Sequence, residues 1–430
     1  MLLITGGTVM DPSTGLHEKK DLAVKDGMIR ELAPKGALAS LSSVPGCHTI
    51  DATDCIVAPG LVDPHVHFRD PGQTHKEDIK TGAAAAAKGG FTSVIMMGNT
   101  QPHPDTPETI RYMTGAGKKT GIRVYACGNV TMGMKGRKLT DMKALKAAGA
   151  VLFTDDGLPV LDRDLMKRAC EEASALGMMI SLHEEDPAFI KEPGINNGVV
   201  AQEMGLTGAS REAEIVMVKR DIEIARETGC HITVQHISSA ETVELIRQAK
   251  QEGVPVHGEA APHHFTLTED AVRQHGTHAK MNPPLRTEAD RQAIVEGLKD
   301  GTIEMIATDH APHAPEEKTR PFTEAPSGII GLETALSLGI RTLVQTGCLS
   351  MENLLKCMST NPARITGISG GTLKAGVPAD IVVFHPHETW VAGDYRSKSV
   401  NTPFTGETLP GVVHATVCAG RIVYEKKQGI

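Results

Sequence analysis

Eight short apolar runs punctuate the chain between residues 61 and 312. They read LVDPHVHF (61–68), TSVIMMGN (92–99), IRVYACGN (122–129), AVLFTDDG (150–157), MMISLHEED (178–186), HITVQHIS (231–238), VPVHGEAAP (254–262) and IEMIATDHAP (303–312). Apolar and β-branched residues are nearly continuous within each, the pattern of strands buried on both faces rather than the alternation of a half-exposed sheet. Helix-forming segments lie between several of them. HKEDIKTGAAAAAKGG (75–90) ends on paired glycines, and DRDLMKRACEEASALG (162–177) opens on a capping Asp. REAEIVMVKRDIEIARETG (211–229) and SSAETVELIRQAKQEG (238–253) each carry an apolar stripe closed by Gly. Strand-like runs that alternate with helices or long loops predict an α/β fold, a parallel (β/α)8 TIM barrel over residues 59–369. An open doubly wound sheet is the alternative that pattern alone leaves standing.

The two ends are patterned differently. Residues 1–58 hold short strand signals broken by turns, and residues 370–430 repeat that style. VKDGMIREL (24–32) and VCAGRIVYE (417–425) each read as a hairpin with Gly at the turn. Neither end can bury a core alone, so the two are expected to pair into one small β-sandwich domain beside the barrel.

Composition narrows the function. A formal net charge of −8 with 3% aromatic residues gives neither the basic footprint nor the stacking platforms of a nucleic-acid binder. No stretch reaches the about 18 apolar residues of a membrane span, and MLLITGGTVMDP has no signal-peptide pattern. The eight cysteines are scattered with no Cys-x-x-Cys pair, as expected of reduced thiols in a cytoplasmic protein.

Candidate chemistry collects at the ends of the runs. His65 and His67 stand two apart at the end of the first, so both point the same way. Asp155 and Asp156 end the fourth, His183 the fifth, His236 the sixth, and Asp309 the eighth. In a barrel these positions open onto the C-terminal face, where active sites lie. A single strand histidine is usually structural, and one of the paired aspartates can serve as a helix cap; the joint placement is what points to a site. Four histidines and two carboxylates exceed the three protein ligands of one catalytic zinc. They suit two ions about 3.5–4 Å apart, bridged by a carboxylate and by hydroxide. A carboxylate at the edge of such a pair can pass a proton to a leaving nitrogen, which describes amide hydrolysis or its reversal.

The chain resembles the dihydroorotases of the long bacterial type, within the amidohydrolase superfamily. The resemblance rests on PGLVDPHVHFRDPGQTHKEDIKTG (59–82), MMGNTQPHPD (96–105), FTDDG (153–157), SLHEED (181–186), AAPHHFTLTED (260–270), MNPPLR (281–286), ATDHAPH (307–313), STNPAR (359–364) and GTLKAGVPADIVVF (371–384). It implies reversible cyclisation of N-carbamoyl-L-aspartate to L-dihydroorotate in de novo pyrimidine synthesis, through a zinc-bridged hydroxide. It also implies two zinc ions per subunit: His65, His67 and Asp309 on one, His183 and His236 on the other. Asp156 would be the bridging carboxylate, with Asp155 as the alternative, and Asp309 would be the general acid and base. Arg69 and Asn99, helped by His313, would clamp the substrate carboxylate, whereas Asn282, Ser327 and Gly328 would contact the ring. His67 would touch substrate as well as metal. A homodimer is implied, and association with aspartate transcarbamoylase is allowed.

Two other readings follow from the same family. Allantoinase- or dihydropyrimidinase-like relatives bridge their metals with a carboxylated lysine on the fourth strand, and residues 149–160 contain no lysine. A non-catalytic scaffold for aspartate transcarbamoylase would have lost metal-ligand residues, and this chain has lost none. Two departures border the substrate region: Glu184 stands where dihydroorotases usually carry Cys, and Ser327 where Phe is common. The proline-rich stretch HAPHAPEEKTRPFTEAPSG (310–328) reads either as a lid over the site or as a plain surface loop.

Overall fold

The apolar runs form eight parallel strands hydrogen-bonded to one another in chain order, from Leu61–Val66 to Met305–Ile306. A doubly wound sheet would break that order at its centre, so the barrel alternative holds. The computed structural model describes residues 1–426, and the part of the C-terminal expectation that falls on 427–430 lies outside the described residues. Helices and long connections cover the outside, and one core joins them to the strands through Phe91, Phe153, Ile232 and Leu336, all buried.

Closure of the barrel is partial, with a local cause. The eighth strand keeps only two residues. Beyond it the Thr308 N–H goes to the Asp63 carboxylate at 3.2 Å, and Thr308 Oγ1 donates to the same group at 2.6 Å. A side chain of the first strand thus takes a donor that a backbone ladder would have used. A single parallel bridge, Val66 to His310, completes the ring, with His67 N–H donating to His310 O at 2.9 Å.

The helix expected over 75–90 begins only at Ile79 and runs to Lys88. Asp78 caps it, its carboxylate accepting from Thr81 N–H at 2.8 Å. Glu77 turns inward instead, bonded to Thr81, Ser397 and His310.

Six strands from the N-terminal end and three from the C-terminal end form one nine-stranded sheet. The ends meet where Ile381–Phe384 pairs antiparallel with Ile56–Pro59. The long strand Leu16–Lys25 bonds Thr8–Asp11 with its first half and Met28–Pro34 with its second, so the sheet curls around its own core of Leu2, Val9, Leu22, Ile29, Ile381 and Val417. Both expected hairpins are present, and their turns abut: a Cβ on Gly420 (φ +74°) would lie 2.6 Å from Gly27 Cα. Between Ile381–Val391 and Thr408–Cys418 the chain leaves this sheet over 392–407 and crosses to the barrel, where it reaches the site described next.

Candidate active site

The strand ends converge as the joint placement predicted. His65 Nδ1 bonds Glu259 Oε1 on the seventh strand at 2.9 Å, which fixes the ring and leaves the buried Nε2 without a hydrogen-bond partner. That nitrogen lies 3.7 Å from Asp156 Oδ1 and 3.5 Å from Asp309 Oδ1. His67 donates from Nδ1 to Asn99 Oδ1 at 2.9 Å. Its Nε2 stands 3.0 Å from Asp309 Oδ1 and 3.4 Å from Asp156 Oδ2. On the far side Asp156 Oδ1 lies 3.4 Å from His183 Nδ1, which is 2.9 Å from His236 Nε2. Glu185 holds the other nitrogen of His183 at 3.3 Å. Two groups of candidate ligands result, His65–His67–Asp156 and Asp156–His183–His236, with Asp156 common to both.

Asp155 faces the opposite way. Its carboxylate accepts from Val130 N–H at 2.9 Å, from Thr131 N–H at 3.1 Å and from the Thr131 hydroxyl. It anchors the loop after the third strand and leaves Asp156 as the carboxylate among the histidines.

Charge in this cluster is short of cations. Burial opposes ionisation of Asp156, yet His65 and His67 hold its carboxyl well below the usual range. Asp309 is likewise held low against burial by its bond to His67 and by the charges of His65 and His67. Two of the imidazoles answer in kind, while burial and the charges of His183 and His65 push His236 down. Burial works against a charged His183, but Asp156 and Glu185 push its pKa up to about 10. His65 is raised against burial by Glu259 and Asp156. Protons here occupy places that a divalent ion would take, and metal binding would release them. An orphaned imidazole nitrogen, carboxylates poised to bridge, and outer carboxylates orienting the rings are what such an ion requires.

Backbone strain gathers at the same place. His236 (φ 29°), Asp309 (φ 48°) and Arg69 (φ 54°) are non-glycine residues with left-handed backbones. Such conformations cost on the order of 1–3 kcal/mol each and persist where surrounding structure over-determines them.

A cavity of about 150 Å³ opens over the cluster, and His67, Arg69, Asn99, Asn282, Ser327 and Gly328 all line it. Arg69 is buried; its Nε donates to Pro312 O at 3.3 Å, and no carboxylate lies within 4 Å of it among the described residues. His313 sits behind that wall, its Nε2 donating to Ser327 O at 2.8 Å and 3.5 Å from the Arg69 guanidinium. Burial and the charges of Arg69, Lys76 and Lys318 keep His313 neutral. Asn99 spends its oxygen on His67, so its amide nitrogen is the atom left for a ligand. Glu184 is not among the lining residues and approaches Arg220 at 3.7 Å, whereas Ser327 faces the cavity.

Some supporting residues escaped sequence reasoning. Glu259 was visible as a charge inside an apolar run, and Glu185 as a neighbour of His183. Asn401 had no signal. It comes from the 392–407 excursion, accepts from His313 N–H at 3.0 Å, and donates to Ala311 O and Gly328 O at 3.1 Å each.

The model of the amidohydrolase family matches residues 56–423. A protein named dihydroorotase from Clostridioides difficile (strain 630) is 50% identical to this chain, across 99% of this chain and 100% of its own. Proteins of the same name from Streptococcus pneumoniae and Clostridium acetobutylicum are 47% and 46% identical with the same coverage. Among solved structures, an L-hydantoinase (dihydropyrimidinase) from Arthrobacter aurescens superposes with TM-score 0.87 at 26% identity, over 100% of this chain and 97% of that one. A D-hydantoinase (dihydropyrimidinase) from Thermus sp. does so at TM-score 0.84 and 24% identity, over 100% and 96%, a likeness of fold. With a full-length identity of 50% set beside the cluster at the barrel mouth, the chain belongs to the amidohydrolase family and, within it, to the dihydroorotases.

Proposed function

We propose that the chain catalyses the reversible cyclisation of N-carbamoyl-L-aspartate to L-dihydroorotate with release of water, a step of de novo pyrimidine synthesis. One observation carries the reading beyond the family: a buried guanidinium without a carboxylate partner among the described residues, at the wall of a cavity floored by the candidate ligand cluster. A buried cation of this kind calls for an anionic ligand, and the planar fork of Arg suits a carboxylate. The substrate carries one that does not react.

Two zinc ions would be held by His65, His67 and Asp309 on one side and by His183 and His236 on the other, with Asp156 common to both groups. Such ions lower the pKa of water and polarise a carbonyl. The protein does the rest. Arg69, with Asn99 Nδ2 beside it, holds the free carboxylate, and His313 backs that wall through Ser327 O, so that the reacting carbonyl lies over the cluster. Asn282, Ser327 and Gly328 bracket the ring. Asp309, ionised at neutral pH, takes the proton of the attacking water during ring opening and delivers it to the departing ring nitrogen. In cyclisation it removes a proton from the ureido nitrogen and returns it to the departing oxygen, and a second proton taken up from solvent completes the water. On the same family grounds the reading extends to a cytoplasmic homodimer able to associate with aspartate transcarbamoylase.

The hydantoinase superposition gives the competing reading, a cyclic amidase for another ring. Zinc-loaded protein assayed on L-dihydroorotate, allantoin, dihydrouracil and hydantoin separates the two. Fastest opening of dihydroorotate is expected; faster opening of any other ring overturns the assignment. Arg69→Ala removes a charge-assisted bond worth about 2–3 kcal/mol, so kcat/KM for dihydroorotate should fall about 10²-fold, chiefly through KM. An unchanged kcat/KM rules out the clamp.

A further inference from the structure

Beside the cavity lies a buried cation that this chemistry leaves unused. Lys318 closes the short helix Pro315–Lys318 and is 2% exposed. Its Nζ donates to Pro326 O at 2.8 Å and to Gly328 O at 3.1 Å. The adjacent carboxylate is engaged elsewhere: Glu317 pairs with Lys76 at 2.9 Å and accepts from Ala314 N–H. Among the described residues no carboxylate lies within 4 Å of the Lys318 ammonium. A second buried lysine holds the same stretch a few residues upstream, with Lys280 Nζ donating to Phe322 O at 2.6 Å and to Glu192 at 3.2 Å. The stretch 310–328 is therefore strung on two ammonium groups, which favours an anchored wall over a free lid.

Along Pro326–Gly328 almost every backbone polar group is taken. Ser327 O accepts from His313 Nε2 at 2.8 Å, Gly328 N–H donates to Lys280 O at 2.9 Å, and Gly328 O accepts from Asn401 as well as Lys318. The Ser327 N–H alone has no partner among the described residues, and Ser327 lines the cavity. Gly328 has φ +118°, and a Cβ there would come within 2.6 Å of Ala311 Cβ. Only glycine therefore fits the seat at position 328.

We propose that Lys318 is a positioning residue, whose two hydrogen bonds set Pro326–Gly328 so that the Ser327 N–H is the backbone donor offered to the substrate ring. The proposal rests on the cyclic-amide reading above. A neutral donor could reach two carbonyls; a cation also adds positive potential to the wall that receives an anion. Burial and the nearby charge of Lys280 push the Lys318 pKa down to about 7, so the protonated amine is held at a cost that an anionic ligand would offset.

The test compares wild type with Lys318→Met, which keeps the length of the side chain and loses its donors, and with Lys318→Gln, which keeps a neutral donor. Two readouts are taken on zinc-loaded protein: hydrogen exchange of peptides covering 320–330, and KM and kcat for L-dihydroorotate. In Lys318→Met, exchange across 325–330 should rise at least about tenfold with the barrel strands unchanged. KM should rise about tenfold while kcat stays within about threefold, the mark of lost uniform binding. Lys318→Gln should fall between. Unchanged exchange, or a KM within about twofold of wild type in the folded Met variant, overturns the proposal. So does failure of both variants to fold, because Lys318 would then serve stability rather than positioning. A wild type inert on dihydroorotate removes the assigned reaction instead, and the exchange arm still decides whether Lys318 holds the segment.

Discussion

Asparagine in place of Asp309 is expected to cut turnover by about 10³-fold or more while leaving the fold intact, the loss typical of a removed general acid–base group. The fold should survive for two reasons. Asp309 has φ 48°, a conformation that Asn adopts as readily as Asp. Among the described residues the polar partners of its carboxylate are imidazoles, with Oδ1 3.0 Å from His67 Nε2 and 3.5 Å from His65 Nε2, so no backbone donor is orphaned. Turnover on dihydroorotate and a melting curve, run on the same preparation, check both halves. Activity within tenfold of wild type would remove Asp309 from the proton-transfer role.

The second large effect separates neighbours in sequence. Asp156→Ala should abolish metal retention and bring activity below about 10⁻⁴ of wild type, with little change in melting temperature, because among the described residues its carboxylate pairs with His65, His67 and His183 alone. Asp155→Ala should act the other way. It strands the Val130 and Thr131 N–H groups and the Thr131 hydroxyl, buried donors worth about 1–3 kcal/mol each, and so lowers stability first. Metal content by atomic absorption and thermal unfolding, measured on both variants, decide the matter. Equal metal loss in the two would contradict the division of labour.

The asymmetry between these aspartates also marks how far the sequence could be read. Residues 61–310 announced the barrel because each strand is buried on both faces, and the clustering of the candidate ligands was legible because each follows a strand end directly. Asp155 and Asp156 are chemically identical, and only the position of the Val130–Thr131 backbone distinguishes them. The eighth strand was overestimated because its ladder donor goes to Asp63, a competition between side chain and backbone that periodicity does not record. The helix over 75–90 was overextended for a similar reason, since Glu77 and Asp78 look like ordinary helix residues until their capping and buried bonds are seen. Asn99 was assigned to substrate from its motif, whereas half of its amide belongs to His67. Asn401 was invisible, because nothing in a polar loop far along the chain indicates that it folds back onto the barrel.

That loop bears on how the enzyme comes into being. Asn401 ties His313 to Gly328, and the excursion carrying it is framed by strands of the terminal sheet. A nascent chain therefore has no finished pocket until residues 392–407 have left the ribosome and folded back onto the barrel. Termination before Asn401 should yield an inert polypeptide, even with all the candidate ligands from His65 to Asp309 already made.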